Sequence, residues 1–229
     1  MIFLDGIGLG DDNPQTNPFS VARMPTLTAL TNGKRWLRET GFQESKRAIF
    51  IPTDPRLGIT GRPQSGTGQA AILTGRNVPQ IIGEHYGPKP NLETRQLLAQ
   101  DNFFKQVRRG GKKAALLDAY PPRLHHDIAR GKTLRSSIQQ AAFESGQVLF
   151  GMDELIAKRA LTPEWTGDSW RRFLKLDTTP VYEPEEAGRL LVEISREYDF
   201  AFHSHWMTDM WDTVGHLNGA LSYWNYLMV

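Results

Sequence analysis

Two segments, one near each end of the chain, contain residues able to bind a divalent metal ion. Asp5 directly follows the short apolar run Ile2–Leu4 and precedes a glycine, so its carboxylate stands where a buried strand would give way to a loop. Asp212 and His216 are four residues apart, which puts both side chains on one face of a helical turn, as in a two-ligand clamp. Asp209, one turn earlier, is the fallback ligand. An ordinary Asp-Gly turn and a helix-end Asp–His pair are the alternative interpretations.

A third segment carries a hydroxyl group at a position suited to anion binding. Ser65 begins the run Ser-Gly-Thr-Gly-Gln, which precedes the apolar residues 70–73. A hydroxyl group flanked by glycines at a helix start lies among free backbone N–H groups, where phosphate or a developing oxyanion is held. An ordinary Ser/Thr N-cap is the alternative. The segment does not match the P-loop, because the Lys-Ser/Thr pair is missing.

Two further groups of residues are weaker candidates for substrate or metal binding. His85, Tyr86 and Lys89 lie in a Gly/Pro-rich loop soon after the Ser65 helix, and such loops often contact substrate. His203 and His205 alternate at the end of a predicted strand, so both side chains point the same way. They could form half of a zinc site, or they could be buried histidines with hydrogen-bond partners.

Composition excludes several classes of protein. The chain has 229 residues with 27 basic and 25 acidic side chains, a near balance that gives no reason to expect a nucleic-acid or anionic-membrane partner. Cysteine is absent, which excludes disulfides, thiolate nucleophiles and Cys-ligated metal sites. The apolar runs are far shorter than the roughly 20 residues that span a bilayer, and the first residues lack a signal-peptide pattern. We therefore expect a cytoplasmic protein.

The elements that must position these residues alternate along the chain. Apolar runs predict strands at 2–4, 48–51, 114–117 and 200–202, and periodicity and caps predict helices at 25–30, 69–74, 93–108, 134–144 and 187–198. Alternation favours an α/β fold with a mostly parallel sheet and helices on both faces. Because chemistry in such sheets sits at the carboxyl ends of strands, we expect Asp5, Ser65 and the segment 203–216 to converge at one edge.

Taken together, these segments resemble the alkaline phosphatase superfamily of metalloenzymes, and most closely its branch of cofactor-independent phosphoglycerate mutases and phosphopentomutases. Three motifs in the family's order carry the resemblance: residues 2–8, the Ser65 turn with Thr-Gly at 74–75, and Asp-x-x-Gly-His at 212–216. The resemblance implies an alkaline-phosphatase-like sheet domain made of residues 1–80 and 185–229. Residues 81–184 would then be a variable cap inserted into that domain.

The resemblance also implies a role for each motif. Ser65 would become transiently phosphorylated and touch a metal ion that Asp5 ligates, while Asp212 and His216 would ligate a second metal ion. The cofactors would be two divalent ions, Mn²⁺ or Zn²⁺, and the partner a small phosphorylated substrate for a phosphatase or phosphomutase.

One departure from the family pattern concerns the end of the chain. Family members carry an Asp-His-Gly turn and a further His downstream, but this sequence has no Asp-His-Gly and ends thirteen residues after His216. We therefore expect an N-terminal fragment that lacks part of the sheet domain, binds metal weakly and has little activity alone. The alternative is a non-catalytic binding or scaffold protein that retains the sheet without a working metal centre.

Overall fold

A computed structural model describes residues 1–209 of the chain. The residues group into two compact units. The first contains Met1–Phe3 and Asp54–His205, and the second contains Leu4–Thr53 and residues 206–209. The division into a sheet domain of residues 1–80 and 185–229 and a cap of residues 81–184 stays a prediction.

The strands within residues 1–209 form two sheets. In chain order they are β1 to β5: Ile2–Leu4, Gln43–Glu44, Ile49–Phe50, Ala114–Leu116 and Phe200–His205. Three of them make a parallel sheet in the order β1-β5-β4, with Ala114 opposite Phe200 and Leu116 opposite Phe202. Strand β4 therefore comes from the middle of the chain, between residues 81 and 184. Beyond its end, the backbone of Asp118 and Ala119 continues with parallel bridges to Leu161 and Phe150.

The α-helices of the described residues are numbered α1 to α10. They span Pro25–Leu30, Ser65–Thr74, Val78–Ile82, Leu92–Gln100, Phe103–Arg109, Pro122–Ala129, Ser137–Glu144, Met152–Ile156, Asp168–Leu174 and Pro184–Ser195. Short 3₁₀ turns occur at Pro18–Ser20 and Arg38–Thr40. None of the helices in this part of the chain combines the length and apolarity needed to cross a bilayer.

The parallel sheet is covered by helices on both faces. Successive side chains of β4 point to opposite faces, so neighbouring residues of this strand contact different helices. Ala114 and Leu116 join a buried cluster with residues of α2, α4, α5 and α7. Ala115 lies instead in a cluster with Leu191 and Ile194, both from α10. The predicted α/β class with a parallel sheet is confirmed at this level.

Three predicted elements differ from those in the structure. Helix α2 begins at Ser65, four residues before the predicted start, although glycines lower helix propensity there. The helix predicted over 93–108 is two helices, because the buried Asn102 side chain accepts a hydrogen bond from Lys105 N at 3.1 Å and starts α5 afresh. The strand predicted at 48–51 belongs to a separate sheet, where β3 pairs with β2 in antiparallel register.

Candidate functional site

The Asp5 turn lies against the fallback ligand, Asp209. Asp5 directly follows β1 and is half-buried, and its Oδ1 atom accepts a hydrogen bond from Gly6 N at 3.1 Å. Gly6 has a φ of +71°, and a methyl group on it would lie 2.5 Å from the Cα atom and 2.9 Å from the Oδ1 atom of Asp209. The Thr208 hydroxyl group donates to the backbone oxygen of Asp5 at 2.5 Å. Two carboxylate residues about 200 positions apart in sequence are therefore neighbours in the second unit.

Ser65 is the first residue of α2, and Gln64 rather than Ser65 occupies the N-cap position. The interpretation of Ser65 as the N-cap residue is therefore wrong, because the N-cap is the residue before it. Ser65 is half-buried, and the two residues that follow it are buried. The helix ends as the sequence predicts, at Thr74, with Gly75 in the left-handed conformation at a φ of +68°. The hydroxyl group of Ser65 thus lies in the first turn of a ten-residue helix, at the positive end of its dipole.

The loop of residues 83–90 packs on this first turn. Thr67 N donates to the backbone oxygen of Tyr86 at 3.0 Å, and Tyr86 N donates back to Thr67 Oγ1 at 3.2 Å. A methyl group on Gly66 would lie 2.5 Å from the Tyr86 backbone oxygen and 3.0 Å from that of Lys89. The backbone of the loop therefore touches the turn that begins with Ser65, so the structure brings the weaker substrate-binding candidates next to it.

The three candidates on this loop differ in their surroundings. His85 Nε2 lies 3.3 Å from the backbone oxygen of Ile59, within hydrogen-bond distance. Tyr86 is 40% exposed. Lys89 is half-buried, and burial lowers the pKa of its ammonium group below the ordinary value. A cation that has lost part of its hydration gains from meeting an anionic ligand.

Helix α7 also contacts the turn that begins with Ser65. The buried hydroxyl group of Ser137, its first residue, donates to the backbone oxygen of Gly66 at 2.5 Å. A capping box at Ser136 and Gln139 fixes where α7 begins, since each side chain bonds the backbone N–H of the other residue. Sequence reasoning missed Ser137, because no local pattern connects it with a turn 71 residues away.

A buried carboxylate joins the ends of β4 and β5. Asp118 Oδ1 accepts a hydrogen bond from Ser204 N at 3.0 Å, and its Oδ2 atom accepts from the hydroxyl groups of Ser204 and of Tyr120, the latter at 3.1 Å. Burial, followed by the charge of Asp118, raises the pKa of the Tyr120 phenol well above its ordinary value. Sequence reasoning missed Asp118, although it follows a predicted strand just as Asp5 does.

The two histidines at the end of β5 are both buried, and the His205 side chain is bonded to the backbone. His205 Nδ1 lies 2.7 Å from the backbone oxygen of Pro163, and the Trp165 ring packs on its imidazole at 4.5 Å. Burial lowers the pKa of His205 to about 4, so the imidazole is neutral at pH 7. His203 Nδ1 lies 2.8 Å from Asp118 Oδ1, whereas its Nε2 has no hydrogen-bond partner within residues 1–209.

The predicted convergence of Asp5, Ser65, Asp212 and His216 stays a prediction. Asp212 and His216 lie outside the described residues, and Asp5 and Ser65 belong to different units. Within residues 1–209, no three side chains of the metal-ligating types lie close enough together to hold an ion. A comparison of the chain with known protein families, curated proteins and solved structures finds no match.

Proposed function

We propose that this chain belongs to a metal-dependent phosphoryl-transfer enzyme of the phosphatase or phosphomutase type. Ser65 is the nucleophile, and Asp5, Asp212 and His216 are metal ligands. The fold is alkaline-phosphatase-like, and its cap is made of the parts of residues 81–184 outside strand β4. The observation that carries this proposal is the contact of the Asp5-Gly6 turn with Asp209, which gives the site a second carboxylate.

The donor set suits a borderline or hard divalent cation. Carboxylate oxygens from Asp5 and Asp209, with a carboxylate and an imidazole from Asp212 and His216, are the ligands that Mn²⁺ and Zn²⁺ accept in proteins. A pair of such ions would stabilise charge on the attacking and leaving oxygens of an in-line displacement.

Ser65 carries the chemistry in two displacements. In the first, its Oγ atom attacks the phosphorus of a phosphomonoester and loses its proton to solvent, while the bond from phosphorus to the leaving oxygen breaks and that oxygen takes a proton from solvent to form the alcohol. In the second, the oxygen of water or of a substrate hydroxyl group attacks the phosphoserine and loses its proton to solvent, while the bond from phosphorus to the serine oxygen breaks and that oxygen regains a proton. Water as acceptor makes the enzyme a phosphatase, and a substrate hydroxyl group makes it a mutase. The helix dipole at the start of α2 favours the anionic phosphoryl group in both steps.

The loop next to Ser65 supplies candidate substrate contacts. Lys89 can offset the charge of the phosphate, and its partial burial strengthens that attraction. His85 and Tyr86 can donate hydrogen bonds to substrate oxygens.

Substituting Ser65 tests the nucleophile. Ser65→Ala in the full-length protein is expected to abolish p-nitrophenyl phosphate turnover and phosphoserine detection by mass spectrometry while the circular dichroism spectrum is kept. Ser195→Ala is the matched control, because that hydroxyl group bonds a carbonyl of its own helix, Val192 O at 2.8 Å. Unchanged turnover in Ser65→Ala would remove Ser65 from the mechanism and favour the non-catalytic scaffold.

Calorimetric titration with Mn²⁺ tests the ligands. Asp5→Asn and Asp209→Asn are each expected to weaken Mn²⁺ binding by about tenfold or more. Asp54→Asn is the control, since the Asp54 side chain is 60% exposed and lies in the other unit. Equal affinities in all three variants would contradict the ligand assignment.

A further inference from the structure

The loop that carries Lys89 is joined to the Ser65 turn through one buried residue, Thr67. Its backbone N–H and its hydroxyl oxygen both bond the backbone of Tyr86, at 3.0 Å and 3.2 Å. A threonine hydroxyl group in a helix ordinarily bonds a carbonyl oxygen one turn back in the same helix, as Thr74 Oγ1 does with Ala70 O at 2.8 Å. Thr67 Oγ1 makes such a bond only at 3.4 Å, to Gln64 O, and it also accepts an N–H from a residue 19 positions away.

The neighbouring glycines show how closely the loop is seated. Gly66 has no room for a methyl group because the backbone oxygens of Tyr86 and Lys89 approach it. A methyl group on Gly87 would likewise lie 2.9 Å from Gln64 Cβ and 3.2 Å from Gly66 N. The loop thus contacts the residues immediately before and after Ser65.

We propose that Thr67 is a positioning residue for phosphoryl transfer: it holds the loop of residues 83–90 on the Ser65 turn, so that Lys89 binds the phosphate group that Ser65 attacks. This inference rests on the proposed function, since it assigns Thr67 a part in the same site. Thr67 itself touches no substrate, because it is fully buried. Its effect on binding passes through the backbone of Tyr86 to the loop.

Vanadate binding separates this role from a purely structural one. Orthovanadate, which resembles the transferred phosphoryl group, is titrated calorimetrically into the full-length protein in the presence of Mn²⁺. Thr67→Val keeps the shape of the side chain but removes the hydroxyl acceptor, and we expect it to weaken vanadate binding about tenfold. Thr67→Ser keeps the hydroxyl group and is expected to bind as the unaltered protein does. Thr74→Val, which alters a hydroxyl group at the other end of the same helix, is the matched control.

A double-mutant comparison tests whether Thr67 acts through Lys89. Lys89→Met is also expected to weaken vanadate binding, and adding Thr67→Val to it is expected to weaken binding no further, since both changes disable the same contact. Fully additive losses would overturn the assignment, as would a Thr67→Val variant that binds vanadate as well as Thr74→Val does. If the unaltered protein bound no vanadate, the proposed function would fail and this assignment with it.

Discussion

Replacing Gly66 by alanine is expected to destabilise the protein, although Gly66 lies in a helix. Glycine-to-alanine changes in helices usually stabilise by about 0.5–1 kcal/mol, because glycine loses more conformational freedom on folding. At this position the new methyl group would lie 2.5 Å from Tyr86 O, 3.0 Å from Lys89 O and 3.2 Å from Gly87 Cα. All three are backbone atoms, so no side chain can rotate away.

The size of the effect follows from these distances. The closest approach is about 0.9 Å short of ordinary van der Waals contact, so the loop must move off the helix. Overpacking of this kind costs about 1–3 kcal/mol, and each hydrogen bond lost between Thr67 and Tyr86 adds about 1 kcal/mol. After subtraction of the helix-propensity gain, Gly66→Ala is expected to lower the free energy of unfolding by about 1–3 kcal/mol.

Gly68 is the matched control, two residues along the same helix. Apart from its chain neighbours and the backbone of its own helix, no atom of residues 1–209 lies within 4 Å of a methyl group placed on it, so Gly68→Ala is expected to raise the free energy of unfolding by about 0.5–1 kcal/mol. The two alanine variants should therefore differ by about 1.5–4 kcal/mol, which at this chain length is about 3–16 °C in thermal midpoint, measured by circular dichroism. Equal midpoints would refute the close contact between the loop and the Ser65 turn.

Three further predictions concern other parts of the structure. Gly6→Ala should lower the free energy of unfolding in urea by about 1–3 kcal/mol, because Gly6 has a positive φ and the new methyl group would lie 2.5 Å from the Cα atom of Asp209. Gly8→Ala, which places its methyl group in open space, should not destabilise the protein. Equal midpoints for the two variants would contradict this. Asp118→Ala should lower the free energy of unfolding in urea by about 3–5 kcal/mol, because the buried groups that donate hydrogen bonds to Asp118 would lose their acceptor. Asp118→Asn should cost less, and equal losses of stability would contradict these hydrogen bonds. The pKa of His205 is about 4 in the folded protein and 6.5 in the unfolded chain, so the protein takes up protons when it unfolds between these pH values. The contribution of His205 to stability is therefore full above pH 6.5 and falls as the pH is lowered toward 4. At pH 5 the free energy of unfolding should be lower by about 2 kcal/mol. His205→Asn should lose this part of the pH dependence, and identical pH profiles would contradict it.

Local patterns were sufficient to predict the three strands of the parallel sheet, several of the helices and much of the Ser65 turn. The apolar run ending at Asp5, the run at 114–117 and the Gly75 stop signal each act over a few residues, so they can be recognised without knowing the neighbours. The start of α2 was missed because Ser-Gly-Thr-Gly has low helix propensity. Contacts of Thr67 and Gly66 with the loop stabilise that first turn, and such contacts are not visible in a local window.

The pairing of distant segments depends on the folded chain. Gly6 with Asp209, Gly66 with Ser137, and Asp118 with Ser204 are contacts across 71 to 203 residues, and nothing in either partner's local sequence specifies the other. Side-chain type and spacing thus indicated which residues could bind metal or phosphate. Packing of helices on the sheet determined which of them meet, because long-range contacts form only where whole elements bury their apolar faces together.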